Sequence, residues 1–326
     1  MPRSGSSDLV LAPLASEHVP DVAALIATRV RMLRTSVPAL PAAWEDETVV
    51  ARVVLELAAL GSGCVALRDG TPVGFQEGTL IDGHGARWAY TPDLGHAASG
   101  AIRGRIIAAL YARLAEGWVR DACLEHVVTV FADDVETIEA YARLGFGRTV
   151  VDLVRDLSPI RGARYEPGVT VRRAGPPDAP AVHALDTGLR RHLLAAPVFL
   201  RLGPQRPPEL QRPLLADPAT ATFLAELDGK PVAFLRIGPS ATDVATIVRD
   251  PGTASITAAF TAPELRGDGV ATTLLAAAHA WARDSGYARM AVDHESANGE
   301  AERFWARHFT PVAFGMTRRL APRGGP

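Results

Sequence analysis

The sequence predicts a mixed α/β chain made of two similar halves. Three observations carry this: an internal repeat in fixed order, strand and helix signals that alternate the same way in each half, and a length of 326 residues, enough for two cores. "DGTPVGF" at 69–75 returns as "DGKPVAF" at 228–234, with five of seven residues identical and an offset of 159 positions. "WVRD" at 118–121 returns as "WARD" at 281–284, offset by 163, and "YAR" at 141–143 as "WAR" at 305–307, offset by 164. An offset that long and that constant exceeds a solenoid unit and is what duplication of a whole domain leaves behind.

Each half opens with a short strand, at 9–13 and 169–173. A Pro-led helix follows, with Val22, Leu25 and Ile26 on one apolar face in the first copy and Val182, Leu185 and Leu189 in the second. Asp69-Gly70 and Asp228-Gly229 then read as hairpin turns between apolar strands, since both residue types tolerate the positive φ that a two-residue turn demands. In the second half "ASITAAFT" (254–261) reads as a strand and 270–283 as a helix, with Leu274, Leu275, Ala278 and Trp281 on one face. "RMAVDH" (289–294) is a strand, 300–307 a helix and "PVAFGMTRRL" (311–320) the closing strand. The stretch 157–168 is polar and bears Gly and Pro, so it reads as a linker. The expected division is a disordered tail at 1–8, a first lobe at 9–156, the linker, a second lobe at 169–321 and a tail at 322–326.

Composition excludes several function classes. Thirty-four basic against 36 acidic residues, a formal charge of -2, leave no electrostatic footprint for nucleic acid or an anionic membrane surface. No run approaches the roughly 18 apolar residues of a membrane span, and 9–15 is too short and poorly flanked for a signal peptide. A cytoplasmic protein is the expectation, which also removes the context that an Arg266-Gly267-Asp268 adhesion tripeptide would need. Cys64 and Cys123 lie in no CxxC or CxxxC pair and read as free thiols. Lys230 is the sole lysine, a bias that with abundant Ala, Gly and Pro points to a GC-rich bacterial genome and lowers the information in any arginine cluster.

"RGDGVA" (266–271) sits where the 270–283 helix begins. A helix start leaves backbone N–H groups unpaired at the positive end of the dipole, both of which favour an anion. Gly267 and Gly269 let a phosphate come close to the backbone, and Arg266 adds a cation. With Arg266, Gly269 and Ala271 in an R/Q-x-x-G-x-G/A frame, and Asn298, Ala301 and Trp305 in an N-x-x-A-x-x-x-Y frame after the next strand, the second half resembles the GCN5-related N-acetyltransferases; the repeat extends this in outline to the first. The resemblance implies two tandem acetyltransferase-like lobes, each a mixed, mostly antiparallel sheet flanked by helices. It implies acetyl-CoA as co-substrate, no metal, and a small-molecule primary amine as acceptor, in a monomer or homodimer. Its cofactor contacts fall on Phe260, Thr261, Arg266, Gly267, Asp268, Gly269, Val270, Ala271, Thr272, Asn298 and Trp305.

Aligned on the two tryptophans, "RGRIIA" (103–108) stands opposite "RGDGVA", placing Ile106 at Gly269; at the offset of 164 shared by "YAR" and "WAR", Asp134 stands at Asn298. A β-branched side chain there would crowd a phosphate, so only the C-terminal lobe is expected to bind cofactor, the N-terminal lobe being a degenerate partner.

Acyl transfer needs a neutral amine, whereas a lysine-like amine with a pKa of about 10.4 is protonated near neutrality, so a base must act. In the resembling family a backbone N–H on the strand before the loop, here around Thr261, serves the thioester oxygen, and a tyrosine protonates the departing thiolate. Trp305 stands at that tyrosine and cannot donate a proton of useful acidity. Either it packs against the pantetheine arm or it is core, and the thiolate leaves unprotonated or takes a proton from Ser296 or His308. The 254–261 strand carries no carboxylate. The base is therefore sought at Glu295 or His294, in the cluster that closes the next strand, the alternative being that these residues only order the turn before Asn298. Two further possibilities remain: a mycothiol-synthase-like acetyltransferase, and a non-catalytic acyl-CoA sensor motivated by Trp305.

Overall fold

The computed structural model describes residues 9–59, 63–83, 86–160, 162, 168–205, 207–241 and 244–321. The tails expected at 1–8 and 322–326 and half of the 157–168 linker lie outside the described residues.

Two compact units result. The first holds the chain up to Val151, with Ala245–Ile247 and the chain from Val312 onward; the second holds Asp152–Val244 and Val248–Pro311. This division differs from the linear one in the sequence reading, because a strand belongs to the sheet it pairs with rather than to its neighbours in sequence.

The first unit runs β1 (Val10–Pro13), α1 (Val19–Ser36), α2 (Glu47–Ala59), β2 (Cys64–Arg68), β3 (Thr71–Gln76), β4 (Thr79–Gly83), β5 (Ala86–Thr91), β6 (His96–Ala98), α3 (Arg103–Arg120), β7 (Glu125–Phe131), α4 (Val135–Arg143) and the first half of β8 (Gly147–Asp156). One sheet has the order β1-β2-β3-β6. The predicted turn joins β2 to β3, with Asp69 at φ 51° and Gly70 at φ 78°, the two positive values such a turn needs. A second layer has the order β4-β5-β7-β14-β8, where β14 (Thr310–Arg319) pairs antiparallel with β7 from Ala313↔Phe131 to Arg319↔Glu125. The closing strand, expected in the second lobe, therefore completes the first unit. Tyr111, Tyr141, Trp118, Ile106 and Phe146 fill its core, with Met316 of β14 among them.

The second unit runs β9 (Val169–Arg173), α5 (Ala179–Leu194), α6 (Gln211–Ala216), β10 (Ala221–Leu227), β11 (Lys230–Pro239), β12 (Thr253–Thr261), α7 (Val270–Asp284), β13 (Arg289–Glu295) and α8 (Gly299–Trp305). Its order is β9-β10-β11-β12-β13, with the second half of β8 beside β13; β12 and β13 are parallel, whereas β9–β10, β10–β11 and β11–β12 are antiparallel. Asp228 and Gly229 repeat the hairpin turn at φ 50° and 76°. Leu224, Phe234, Val182 and Leu215 form its core beneath α5 and α6. Each such fully buried apolar side chain contributes about 1.5–3 kcal/mol.

What matters for the site is where β12 and β13 part. Their rungs run from Thr253↔Arg289 to Ile256↔Val292 and then stop, although both strands continue. On the other edge, Arg236 pairs with Ala258 while the adjacent Ile237 pairs with Ile256, so Thr257 is an extra residue. A bulge bends the strand that carries it. The bulge falls immediately after the last β12–β13 rung, and it leaves the backbone groups on one side of Ala258 to Thr261 without a β13 partner.

Candidate active site

The turn between β12 and α7 is built as the glycines demand. Gly267 has φ 97° and Gly269, the N-cap of α7, has φ 82°, left-handed values that side chains with a Cβ adopt only at a cost of about 1–2 kcal/mol. No side chain caps α7, and among the described residues the amides of 267–272 have no acceptor. A Cβ on Gly267 would meet nothing within 4 Å. Among the described residues these donors are thus unpaired and the turn borders open space, as an anion cradle requires.

That space is a cavity of about 610 Å³. Its wall contains every cofactor position predicted from sequence: Phe260, Thr261, Arg266, Gly267, Asp268, Gly269, Val270, Ala271, Thr272, Asn298 and Trp305. The details differ from a free phosphate-binding cation at Arg266. Its guanidinium lies 5.7 Å from the centroid of the Phe260 ring, donates from Nε to the Thr261 carbonyl at 3.1 Å and is ion-paired with Glu300. Arg303 and Arg307 also line the wall, giving three cationic side chains against the carboxylates of Asp268 and Glu300.

Asn298 caps α8: its Oδ1 accepts from the Ala301 amide at 3.2 Å. Trp305 is 5% exposed and meets Phe304 and Phe309 edge-on at 4.7 and 5.5 Å, so it is at once core and cavity wall.

The catalytic candidates lie elsewhere. Glu295, His294 and Ser296 are absent from the cavity wall. His294 is buried and its Nδ1 lies 3.0 Å from the Glu295 carbonyl. The Ser296 hydroxyl is buried without a hydrogen-bond partner among the described residues. Burial, with a smaller contribution from the Asp293 charge, pushes the Glu295 carboxyl up to about 7. The half-buried His308 is pushed down by burial and by the charges of Arg155 and Arg307.

Among the wall residues that the sequence did not single out as site residues, one histidine stands out. His192, in the last turn of α5, lines the cavity beside Leu189 and places Nε2 3.4 Å from Asn298 Oδ1. It reaches the wall because α5 lies tight on β12: a Cβ on Gly188 would come within 2.7 Å of the Phe260 ring.

The equivalent place in the first unit is filled differently. Arg103, opposite Arg266, is already the first residue of α3, so the helix extends through positions that form the open turn in the second copy. Ile106 is fully buried, with its Cγ2 2.5 Å from where a Cβ on Gly74 would stand. It points into the core and does not crowd the helix mouth, which corrects the steric reason expected from sequence. The mouth is instead closed by carboxylates. Glu136 Oε1 accepts from the Gly104 amide at 3.2 Å, while Arg103 Nε lies 3.2 Å from Glu136 and 3.3 Å from Asp134. Asp134 also takes Arg29 at 2.5 Å and the Thr137 amide at 3.2 Å.

The second unit is thus an α/β unit in which a β-bulge opens the sheet beside a glycine turn and an uncapped helix mouth borders a cavity. Residues 190–309 match the Acetyltransferase (GNAT) family. That match spans part of the second half, and the fold of the described residues is that of the GCN5-related N-acetyltransferases. A GCN5-related N-acetyltransferase from Sphaerobacter thermophilus is similar over 96% of each chain at 15% identity, with a TM-score of 0.56. A tandem GNAT protein from the clavulanic acid biosynthesis pathway, 18% identical over 97% of this chain and all of its own, has a TM-score of 0.49. No curated protein matches the sequence. Among the described residues no helix is long and apolar enough to cross a membrane.

Proposed function

We propose that the chain is an acetyl-CoA-dependent N-acetyltransferase acting on the primary amine of a small molecule, and that its second lobe alone holds the cofactor. The uncapped amides of 267–272, opening on the 610 Å³ cavity, carry this reading. The residues fit the group: left-handed glycines clear the approach, the helix end and three arginines favour a pyrophosphate, and Leu189, Phe260, Phe304 and Trp305 offer an apolar wall for the pantetheine arm. When bound, acetyl-CoA supplies an activated acyl carbon. The backbone donors of β12 beyond Ile256, on the side β13 has left, serve the thioester oxygen.

The test is release of the CoA thiol from acetyl-CoA with and without a panel of primary amines. Amine-dependent release is expected. Tight acetyl-CoA binding with release that no amine accelerates would replace the enzyme by an acyl-CoA sensor, the reading that the packed Trp305 favours.

A further inference from the structure

The cavity that would take the acetyl donor is lined by a histidine, His192, and by none of the residues at the end of β13. We infer that His192 is the general base of this site, its Nδ1 facing the acceptor; the inference rests on the acetyltransferase reading above.

The assignment begins with a tautomer. Asn298 caps α8 by accepting the Ala301 amide on its side-chain oxygen, which fixes which end of the amide is oxygen. The same oxygen faces His192 Nε2 at 3.4 Å. Two acceptors cannot bond to each other, so Nε2 carries the hydrogen. In a neutral ring that leaves Nδ1 with a free lone pair, and among the described residues nothing donates to it. Asn298 thus plays the orienting part that a base needs, at a distance that tightens when a site fills.

The remaining wall residues do not compete. The Glu300 carboxylate is held by Arg266, Trp305 offers only an indole N–H, and Asp268 is exposed in the glycine turn, on the side of the cradle. The charged groups that face the cavity with His192 are Arg266 and Asp268 from the turn and Glu300, Arg303 and Arg307 from α8 and the residues after it. His192 comes from α5, an element separate from the glycine turn and α7 that form the cradle, so a base there leaves the cradle to the cofactor.

The step balances within the site. His192 Nδ1 takes one proton from the neutral acceptor amine as the new C–N bond forms, and returns it to the sulfur as the C–S bond breaks. Amine and thioester become amide and thiol with no net proton change. The same imidazole thereby covers the acid role left vacant by Trp305.

Two measurements on the full chain test this. Nitrogen-15 histidine spectra, with His192 assigned through H192Q, report the tautomer directly; the expected result is protonated Nε2, bare Nδ1, and a shift of the His192 ring signals on adding acetyl-CoA. A protonated Nδ1, or an unmoved ring in a protein that calorimetry shows to bind acetyl-CoA, would overturn the inference. With an amine that supports turnover, H192Q should lose about 10²–10⁴-fold in kcat and the rising acid limb of kcat/KM, while its affinity for acetyl-CoA stays within about threefold. A wild-type rate and pH profile in H192Q would also overturn it. Failure of the wild-type protein to bind acetyl-CoA would remove instead the cofactor reading on which His192 depends.

Discussion

The mouths of α3 and α7 are the same piece of architecture used in two ways. Both follow a strand, both carry an arginine at the corresponding place, and each arginine meets a glutamate from the next helix: Arg103 with Glu136, Arg266 with Glu300. At α3 the chain is already helical at Arg103 and Glu136 also takes the Gly104 amide, so the helix end is neutralised from within the protein. At α7 the left-handed Gly267 and Gly269 delay the helix, and no side chain takes the amides. The cavities follow suit. That beside α3, about 430 Å³, sets Arg29 and Arg103 against Asp21, Asp133 and Asp134, whereas that beside α7 has three arginines against two carboxylates. A duplicated fold keeps its ion pairs, and what separates an anion site from a structural end is whether those pairs leave backbone donors free.

The largest expected effect is on the structural copy. Arg29→Ala leaves the buried Asp134 with the half-exposed Arg103 as its remaining ion-pair partner beside the Thr137 amide, and should destabilise the protein by about 3 kcal/mol in denaturant unfolding. Arg266→Ala, which breaks the more exposed counterpart, should cost less than about 1 kcal/mol in stability yet weaken acetyl-CoA binding. Equal costs at the two positions would break the comparison.

A smaller effect concerns Glu295, whose carboxyl is held at about 7 by burial and Asp293. Its folded pKa exceeds the unfolded value, so the native state binds the extra proton between about pH 4.5 and 7. Stability is greatest below that window and falls as pH rises through it. Glu295→Gln should remove this loss, gaining on the order of 1–2 kcal/mol over wild type at pH 8 and little at pH 4, as read from Tm against pH. A parallel pair of Tm curves would show that the carboxyl is not perturbed.

The smallest effect contrasts Tyr141 with Trp305. Tyr141 is fully buried, its hydroxyl has no partner among the described residues, and burial raises its phenol well above the ordinary range. Tyr141→Phe should therefore be neutral or stabilising by up to about 1 kcal/mol in urea unfolding. A clear loss of stability would reveal a partner for that hydroxyl.

Much of this was legible in the sequence where local backbone chemistry decides. Gly267, Gly269, Asp69-Gly70 and Asp228-Gly229 occupy conformations that few other residues accept, so their positions announce turns before any tertiary contact is known. The apolar spacing of Leu274, Leu275 and Ala278 likewise placed α7, which begins at Val270 as expected. The parts that were not legible depend on packing between distant segments. His192 reaches the cavity only because Gly188 lets α5 lie against Phe260, and neither residue signals that on its own. The closing strand pairs with β7, nearly two hundred positions earlier, and nothing in its alternation says so. Ile106 looked like an obstruction because alignment gave its position without its direction. Glu295, His294 and Ser296 carry the residue types that a base search favours, but the strand that bears them has already left the cavity wall.

The central claim, one open helix mouth and one closed, is tested most directly by calorimetric titration of the full chain with acetyl-CoA, read for stoichiometry and repeated on Gly269→Ile. One site per chain, lost in the variant while the fold persists by circular dichroism, is the predicted result. Two sites in the wild-type chain, or one that survives Gly269→Ile, would contradict it.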